Sequence, residues 1–480
     1  MAVTDVLIVS LLPASHRNIS CLTLQAALFS QGIASDLLYV PSESAFDEAA
    51  FRRFIAERSY RVVGLSVMTE SFGFACRITE QLKRLPDPPL VVWGGIHPTL
   101  MPEECVEHAD CACVGEGDRS FPEFIRRVRA GEDCTTIPGM AFRLDNGEFM
   151  ATGRPQLIDD LDALPFNRYD FDCSYVLDGQ GLRSFGSAEY VAYSNYHGQD
   201  YTLMATRSCP FSCSYCCNSY LNALNGGARV RKRSVEHVIS EIHHALTTLD
   251  DIRFINFIDD QFLTSRKWSS EFVKRYKDEI NLPFIVRLVP GTFNDKEVGL
   301  MADAGLSVAQ VGIQSGSERT NTELYSRKFD YQRIVLSSKI LSRAGVHPIY
   351  DVIIHNPLET DEDRERTVAL VADLEKPFSL NLFALTPFPK TRIASLYRER
   401  GILSPTDPYG EGYRGVDKDD FFYQILSVAP YTDRKTIHHY LSNRNDLQAR
   451  RQLAAYYTMS SDKRRGFVIQ DRLRPCPKTS

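Results

Sequence analysis

The chain has 480 residues, a net charge of −6 and 24% charged residues, values typical of a globular protein of two to three domains. The negative charge argues against general nucleic-acid binding. No apolar stretch approaches a membrane span, and the N-terminus lacks a basic region followed by a long apolar run. The twelve cysteines therefore indicate metal ligands and buried thiols rather than disulfides, which predicts a cytoplasmic protein.

The N-terminal third alternates between strand-like and helix-like segments. Strands are predicted at 5–10, 34–40, 62–68, 90–93 and 112–114, and helices at 22–31, 46–58, 74–85 and 121–130. This alternation predicts a doubly wound parallel sheet with helices on both faces. Ligands of such sheets bind at the carboxyl ends of the strands, where glycine-rich turns permit close approach.

A proline-marked boundary at 164–170 ends this region, and residues 171–200 lack clear periodicity. We therefore expect these residues to form an irregular segment, which either packs near an active site or serves as a surface linker. Alternation then resumes, with strands predicted at 201–205, 252–258, 284–288, 306–313, 347–354 and 379–385. Helices are predicted at 234–249, 331–344 and 360–375. Six strand–helix units therefore form the second half of the chain.

The most informative motif is a cysteine triplet at the end of the first of these strands. Cys209, Cys213 and Cys216 lie within eight residues, and composition alone would produce this spacing about 0.01 times in such a chain. Three thiolates can hold three irons of a cubane cluster and leave the fourth iron open. The alternatives are buried free cysteines or a zinc site that uses Cys217, although zinc sites normally use two separated pairs.

The spacing Cys-x-x-x-Cys-x-x-Cys, with aromatic Tyr215 before the last cysteine, resembles the signature of radical S-adenosylmethionine (SAM) enzymes. The resemblance implies a [4Fe-4S] cluster whose open iron chelates SAM. One electron from the cluster then cleaves SAM to a deoxyadenosyl radical, which abstracts a substrate hydrogen. It also implies that the six strand–helix units form a partial (β/α)6 barrel, with the chemistry at the carboxyl ends of the strands.

Polar residues follow several of these strands. Asp259 and Asp260 close the second strand, where the family recognises the methionine amino group; a helix cap or a surface pair is the alternative. Gln314 and Ser315 close the fourth strand and suit a ribose or a carboxylate, unless they only form a polar turn. Arg287 fits either a bidentate contact to a carboxylate or a structural ion pair.

Three segments of the N-terminal third, at 64–69, 94–104 and 114–119, resemble the cobalamin-binding domain that precedes many radical SAM enzymes. The predicted contacts lie in these turns: Ser66, Gly94, Gly95, His97, Gly115 and Glu116. The domain lacks the Asp-x-His-x-x-Gly motif that supplies an axial ligand, since His16, His97 and His108 all have other flanking residues. His97 is better explained as a structural turn residue than as a contact, and a flavodoxin-like domain without a ligand is the alternative.

The predicted layout is a flavodoxin-like, cobalamin-binding α/β domain at 1–150, a linker at 151–200, a radical SAM barrel at 201–400 and a mostly helical cap at 401–480. Residues 431–480 hold eleven Lys and Arg against four Asp, which indicates a solvated helical cap or attraction of an anionic partner.

The leading functional hypothesis is cobalamin-dependent methylation of an unactivated carbon of a small molecule, with flavodoxin or ferredoxin as electron donor. The alternatives are radical cyclisation, oxidation, carbon–carbon coupling or aminocarboxypropyl transfer, and a non-catalytic cobalamin sensor.

Overall fold

The computed structural model describes residues 4–11, 18–169, 171–194, 196, 198–263, 265–404, 409 and 415–460. The chain forms two compact units. The first takes the described residues of Met1–Gln199 together with Tyr220–Gly227 and His244–Asp251, and the second takes the rest. The domain boundaries at 150, 200 and 400 stay predictions, and both His16 and the basic residues after 460 lie outside the described ranges.

The strands of the first unit form one nine-stranded sheet in the order β7-β6-β5-β4-β3-β1-β2-β8-β9. They are β1 Val6–Ser10, β2 Asp36–Tyr39, β3 Val62–Ser66, β4 Leu90–Gly94, β5 Cys111–Cys113, β6 Met140–Arg143, β7 Phe149–Ala151, β8 Ser174–Asp178 and β9 Gly181–Ser184. Its helices are α1 Ile19–Ser30, α2 Glu48–Arg58, α3 Phe72–Lys83, α4 Ile96–Leu100, α5 Pro102–Cys105, α6 Gly117–Ala130 and α7 Ser187–Ala192.

The five central strands are parallel and buried on both faces. In β1, Leu7 and Val9 join a core with side chains of α2 and α3. Val6 and Ile8 point to the opposite face and join a second core with side chains of α1 and α6. Two cores separated by one sheet are what a doubly wound fold requires, because alternate side chains of each strand face opposite layers.

Antiparallel additions extend both sides of this parallel region. Strands β6 and β7 pair antiparallel beyond β5. On the other side, β8 pairs parallel with β2 and turns back into β9. The prediction of an irregular segment at 171–200 is therefore wrong, since it contains this hairpin and α7. The sequence pattern that indicates this hairpin is short. Two apolar residues, Val176 and Leu177, which the structure buries, precede a turn that begins with Asp178-Gly179.

The second unit is built on six parallel strands in chain order: β10 Asp200–Leu203, β13 Phe254–Phe257, β14 Phe284–Leu288, β15 Leu306–Gln314, β16 His347–Ile354 and β17 Ser379–Ala384. The short β11 Thr206–Arg207 and β12 Arg231–Lys232 form a separate ribbon. Along the chain after β10, the helices are α8 Asn218–Leu224, α9 Val235–Thr248, α10 Arg266–Glu279, α11 Asp295–Asp303, α12 Tyr331–Arg343, α13 Asp361–Asp373, α14 Arg392–Glu399, α15 Phe421–Val428, α16 Arg434–Ser442 and α17 Leu447–Met459. Most of α8, from Tyr220, and the end of α9, from His244, are grouped with the first unit.

This arrangement confirms the predicted strand–helix units and the helical C-terminal region. Helices α15 and α16 both contact α13, and α17 contacts them in turn. Within the described ranges, no helix is both long and apolar enough to cross a membrane.

Candidate active site

The turns after β3, β4 and β5 form an accessible edge in the first unit. Ser66 and Gly94 pair with each other across β3 and β4, so these two strands end level. Gly95 follows with a φ of 100°, and a Cβ there would lie 2.9 Å from the carbonyl oxygen of Val67. Gly115 has a φ of 81°. Both positions need glycine, and both remain at least partly accessible to a ligand.

Thr99 joins two of these turns. Its hydroxyl donates to the carbonyl oxygen of Gly95 at 2.8 Å and accepts from the backbone N–H of Gly115 at 2.9 Å. Ser66 accepts from the side-chain amide of Asn18 at 2.9 Å, and Glu116 directly precedes α6 and is half-buried. Thr99, which sequence reasoning missed, therefore holds these turns together; they are here called the glycine cradle, and their binding of a ligand stays a prediction.

His97 is fully buried rather than presented at this edge. Its Nδ1 lies 3.3 Å from the hydroxyl of Thr69, its Nε2 lies 3.6 Å from the carboxylate of Glu104, and its ring packs against Phe72 at 4.7 Å. These contacts agree with the structural role that the sequence favoured for His97.

The cysteine triplet lies in the second unit, on the loop between β11 and α8. Cys213 is 8% exposed, whereas Cys209 and Cys216 are half-buried. Burial raises the pKa of Cys209 to about 11. No three described His, Cys, Asp or Glu side chains converge as they would around a single ion. A cubane places each thiolate on a different iron, so three spaced thiols on one loop fit a [4Fe-4S] cluster.

Ser214 anchors the middle of this loop. Its N–H donates to the carbonyl oxygen of Tyr325 at 2.9 Å, and its hydroxyl donates to the carbonyl oxygen of Leu324. Its own carbonyl oxygen accepts from the N–H of Ile393, in α14, at 3.1 Å. Residues 320–327, here called the clamp segment, thus hold the loop beside Cys213.

The clamp segment also supplies a cation, Arg327. Its Nη1 lies 3.5 Å from Sγ of Cys213 and 3.2 Å from the hydroxyl of Tyr215, and its Nη2 donates to the carbonyl oxygen of Gly312 at 2.8 Å. The ring of Tyr215 packs edge-on against Tyr325, with centroids 5.1 Å apart. Sequence reasoning missed Arg327, because one arginine in a polar loop carries no pattern.

The adjacent carboxylates after β13 have different surroundings. Asp259 is fully buried and accepts from the N–H groups of Ala205 at 3.2 Å and Thr206 at 2.5 Å, and from the Thr206 hydroxyl at 2.5 Å. Burial raises the pKa of Asp259 to about 6. Asp260 as a whole residue is exposed, but its carboxylate accepts a hydrogen bond from the side chain of Asn218, and burial raises its pKa. Asn218 begins α8 directly after the cysteine loop, so this contact places Asp260 beside Cys209 and Cys216.

Arg287 belongs to a polar row that crosses four neighbouring strands. It donates to the carbonyl oxygen of Ile258 at 2.8 Å and to the side-chain oxygen of Gln310 at 3.2 Å. Gln310 in turn donates to both carboxylate oxygens of Asp351, at 3.0 and 2.9 Å, and Asn381 donates to Asp351 at 2.9 Å. Burial raises the pKa of Asp351. The row places hydrogen-bonding groups on one face of the sheet.

Strained and unsatisfied groups mark the end of β15. Gln314 has a φ of 63°, and its buried side-chain oxygen has no hydrogen-bond partner among the residues that the structure describes. Ser315 donates to Glu359 at 3.1 Å and lies 3.1 Å from the hydroxyl of Thr367. A non-glycine residue at positive φ and an unpaired buried acceptor make the end of β15 a candidate ligand-binding position.

Gly316, next in the chain, touches helix α13. A Cβ at this position would lie 2.4 Å from the carbonyl oxygen of Arg366 and 2.6 Å from Cα of Thr367. The Gly316 N–H donates to the Thr367 hydroxyl at 2.8 Å. Burial raises the pKa of the nearby Glu359 to about 7.

Comparison with known proteins agrees with this two-part description. Residues 6–125 match the model of the B12 binding domain, and residues 203–371 match that of the radical SAM superfamily. The fold and the site thus define a radical SAM enzyme with an N-terminal B12-binding domain.

Two curated relatives and one solved structure illustrate the family. An uncharacterized methyltransferase of Pyrococcus horikoshii is 28% identical over 338 residues, which are 69% of this chain and 68% of the relative. An anaerobic magnesium-protoporphyrin IX monomethyl ester cyclase of Rubrivivax gelatinosus is 23% identical over 386 residues, 78% of this chain and 65% of that protein. The radical SAM methyltransferase TsrM of Kitasatospora setae, with cobalamin and a [4Fe-4S] cluster bound, shares the fold with a TM-score of 0.67, 19% identity and coverage of 84% of this chain and 80% of TsrM.

The chain therefore belongs to the cobalamin-binding radical SAM enzymes, as its motifs predicted, and its cofactors are a [4Fe-4S] cluster, SAM and cobalamin. Which side chains contact these cofactors stays a prediction. In the second unit, the structure brings Asp260 to the cysteine loop, and Arg327 links that loop to β15, which ends at Gln314. The glycine turns form their own edge in the first unit.

Proposed function

We propose that the protein methylates an unactivated carbon of a small molecule. The observation that carries the proposal is the combination, in one chain, of an accessible glycine cradle in a B12-binding domain and a three-thiol loop in a radical SAM domain. When bound, the cluster supplies the electron that cleaves SAM, and cobalamin supplies the methyl group. The names of the Pyrococcus relative and of TsrM support methyl transfer.

The chain's own residues have distinct roles in this proposal. Cys209, Cys213 and Cys216 hold the cluster. Asp260 accepts hydrogen bonds from the methionine ammonium group, because it is accessible and beside the cysteines, whereas the carboxylate of Asp259 is occupied in fixing Ala205 and Thr206.

Further contacts are proposed around these groups. The side-chain oxygen of Gln314, which has no partner within the described part of the chain, accepts from SAM, and Ser315 positions that turn. The turns that contain Ser66, Gly94, Gly95, Gly115 and Glu116 bind cobalamin.

The polar row that includes Arg287 and Asp351 offers hydrogen bonds to a polar substrate. An external donor such as flavodoxin or ferredoxin supplies electrons. A cytoplasmic location fits the cysteines, since every cysteine in the described ranges is a free thiol. The charge of −6 favours a partner other than nucleic acid.

Anaerobic reconstitution with iron, sulfide and hydroxocobalamin tests the proposal. We expect the parent protein to retain both cofactors and to release 5′-deoxyadenosine from SAM under reducing conditions. Cys213→Ala should lose iron and this activity. Cys134→Ala, which changes a half-buried thiol of the first unit, should keep both. Retention of SAM cleavage by Cys213→Ala, or failure of the parent to hold cobalamin while it cleaves SAM, would contradict methyl transfer by this route.

Radical cyclisation is the second candidate, because the Rubrivivax relative is named a cyclase. The mass of the product separates the two reactions. Methylation adds one methylene unit to the substrate, whereas oxidative cyclisation removes two hydrogens.

A further inference from the structure

The side chain of Arg327 contacts a cluster cysteine from outside the cysteine loop. Its guanidinium lies 3.5 Å from Sγ of Cys213 and is half-buried. A hydrogen bond from a charged donor to a thiolate strengthens as negative charge accumulates on the sulfur. Reduction of an iron–sulfur cluster adds such charge, and hydrogen bonds to its sulfurs and nearby charges help to set its potential.

The guanidinium is held in place from both sides. The other terminal nitrogen of the guanidinium donates to the carbonyl oxygen of Gly312, two residues before the end of β15. The backbone N–H of Arg327 donates to the carbonyl oxygen of Asn321 at 2.8 Å. The amide of Asn321, 2% exposed, donates to the carbonyl oxygens of Ser315 and Ser317 at 2.7 and 3.1 Å. Arg327 is therefore fixed to the same strand end that the SAM contacts are proposed to occupy.

The charges around the three cysteines are distributed unevenly. Asp260 acts on Cys209 and Cys216, and its negative charge disfavours additional negative charge on their sulfurs. Arg327 faces Cys213. Cys213 is thus the sulfur beside a positive charge, whereas Cys209 and Cys216 face a negative one.

We propose that Arg327 is a positioning residue that orients Cys213 and raises the reduction potential of the cluster. This inference rests on the proposed ligation of iron by Cys213. The positive charge of Arg327 stabilises the reduced cluster, which carries one additional electron. Arg327 would thereby make the cluster easier to reduce by a cellular electron donor.

The test is the midpoint potential of the reconstituted full-length protein, followed by the electron paramagnetic resonance signal of the reduced cluster during a redox titration. Arg327→Gln should lower the equilibrium constant for one-electron reduction about tenfold, a shift of about 59 mV to more negative potential. Arg327→Lys keeps the charge and should stay near the parent. Arg392→Gln is the matched control, because Arg392 is exposed and donates to Ser326 of the same clamp segment.

Iron and sulfide content separates this inference from the proposed function. If the parent protein binds no cluster, the proposed function fails. If Arg327→Gln binds a full cluster whose potential equals that of the parent, the role of Arg327 is overturned. Should Arg327→Gln retain no iron, Arg327→Lys decides the question. A midpoint potential like that of the parent supports the proposal. A tenfold lower equilibrium constant for reduction, or the absence of a cluster, in Arg327→Lys contradicts it.

Discussion

At the scale of single residues, the environment of Glu359 differs most from what its position in the chain suggests. It lies in the turn between β16 and α13, where a carboxylate would ordinarily be solvated. Instead it accepts from Ser315, and burial raises its pKa from an ordinary 4.5 to about 7. The folded protein therefore binds a proton at Glu359 more tightly than the unfolded chain does.

This difference predicts a pH-dependent effect of Glu359→Gln. The stabilisation from the protonated carboxyl is complete below pH 4.5 and is lost as the pH rises through about 7. The neutral amide avoids that loss, so Glu359→Gln should be more stable than the parent at pH 8 by about 1–3 kcal/mol. At pH 4.5 the advantage should vanish. Thermal unfolding at both pH values measures it, and an equal difference at each pH would rule out titration of Glu359 as the cause.

The cysteine triplet could be predicted from the sequence because its chemistry depends on spacing alone. The distinction between Asp259 and Asp260 could not, because it depends on which carboxylate meets the N–H groups of Ala205 and Thr206. Those groups are more than fifty residues away in the chain. Arg327 and Thr99 were missed for the same reason, since their partners come from other elements.

At the scale of elements, the end of β15 contacts helix α13. This contact fixes the position of the turn at Gln314 and Ser315, which is predicted to bind SAM. Gly316 allows this approach, because its Cα faces the backbone of Arg366 and Thr367. A strand-by-strand interpretation of the sequence could not place this contact between a strand end and a helix.

Gly316→Ala should therefore separate the two elements. The new methyl group would overlap backbone atoms that cannot move independently, and we expect a loss of about 2–4 kcal/mol in stability together with weaker SAM binding. The control is Gly299→Ala in the middle of α11, where a Cβ meets nothing within 4 Å. That change should be neutral or stabilise by up to about 1 kcal/mol. Denaturant unfolding and equilibrium dialysis of SAM measure both effects, and equal behaviour of the two variants would contradict the explanation.

At the scale of the whole molecule, the chain consists of two compact units, each with its own sheet. The order of strand and helix segments was enough to predict β1 to β5 of the first sheet and the six strands of the second, because strongly periodic segments determine which elements exist. The hairpins of β6 with β7 and of β8 with β9 were missed, because strands of three to five residues carry little periodic signal.

Separate units predict that the two cofactors can be lost independently. Replacement of all three cluster cysteines by alanine should remove iron and leave cobalamin binding intact. Gly95→Ala should do the reverse, because its φ of 100° and the contact with Val67 exclude a side chain. Iron analysis and the absorbance of bound hydroxocobalamin measure the outcome, with circular dichroism as the check on folding. Parallel loss of both cofactors in either variant would contradict independent sites.

The antiparallel strands at both sides of the first sheet also bear on how the chain is made. Strand β2 has an unpaired edge until β8, whose first residue is Ser174, has been synthesised. An exposed strand edge is a template for association with other chains. A nascent or truncated chain that ends near residue 150 would therefore be prone to aggregate, whereas one that extends past β9 carries only a short terminal strand at that edge.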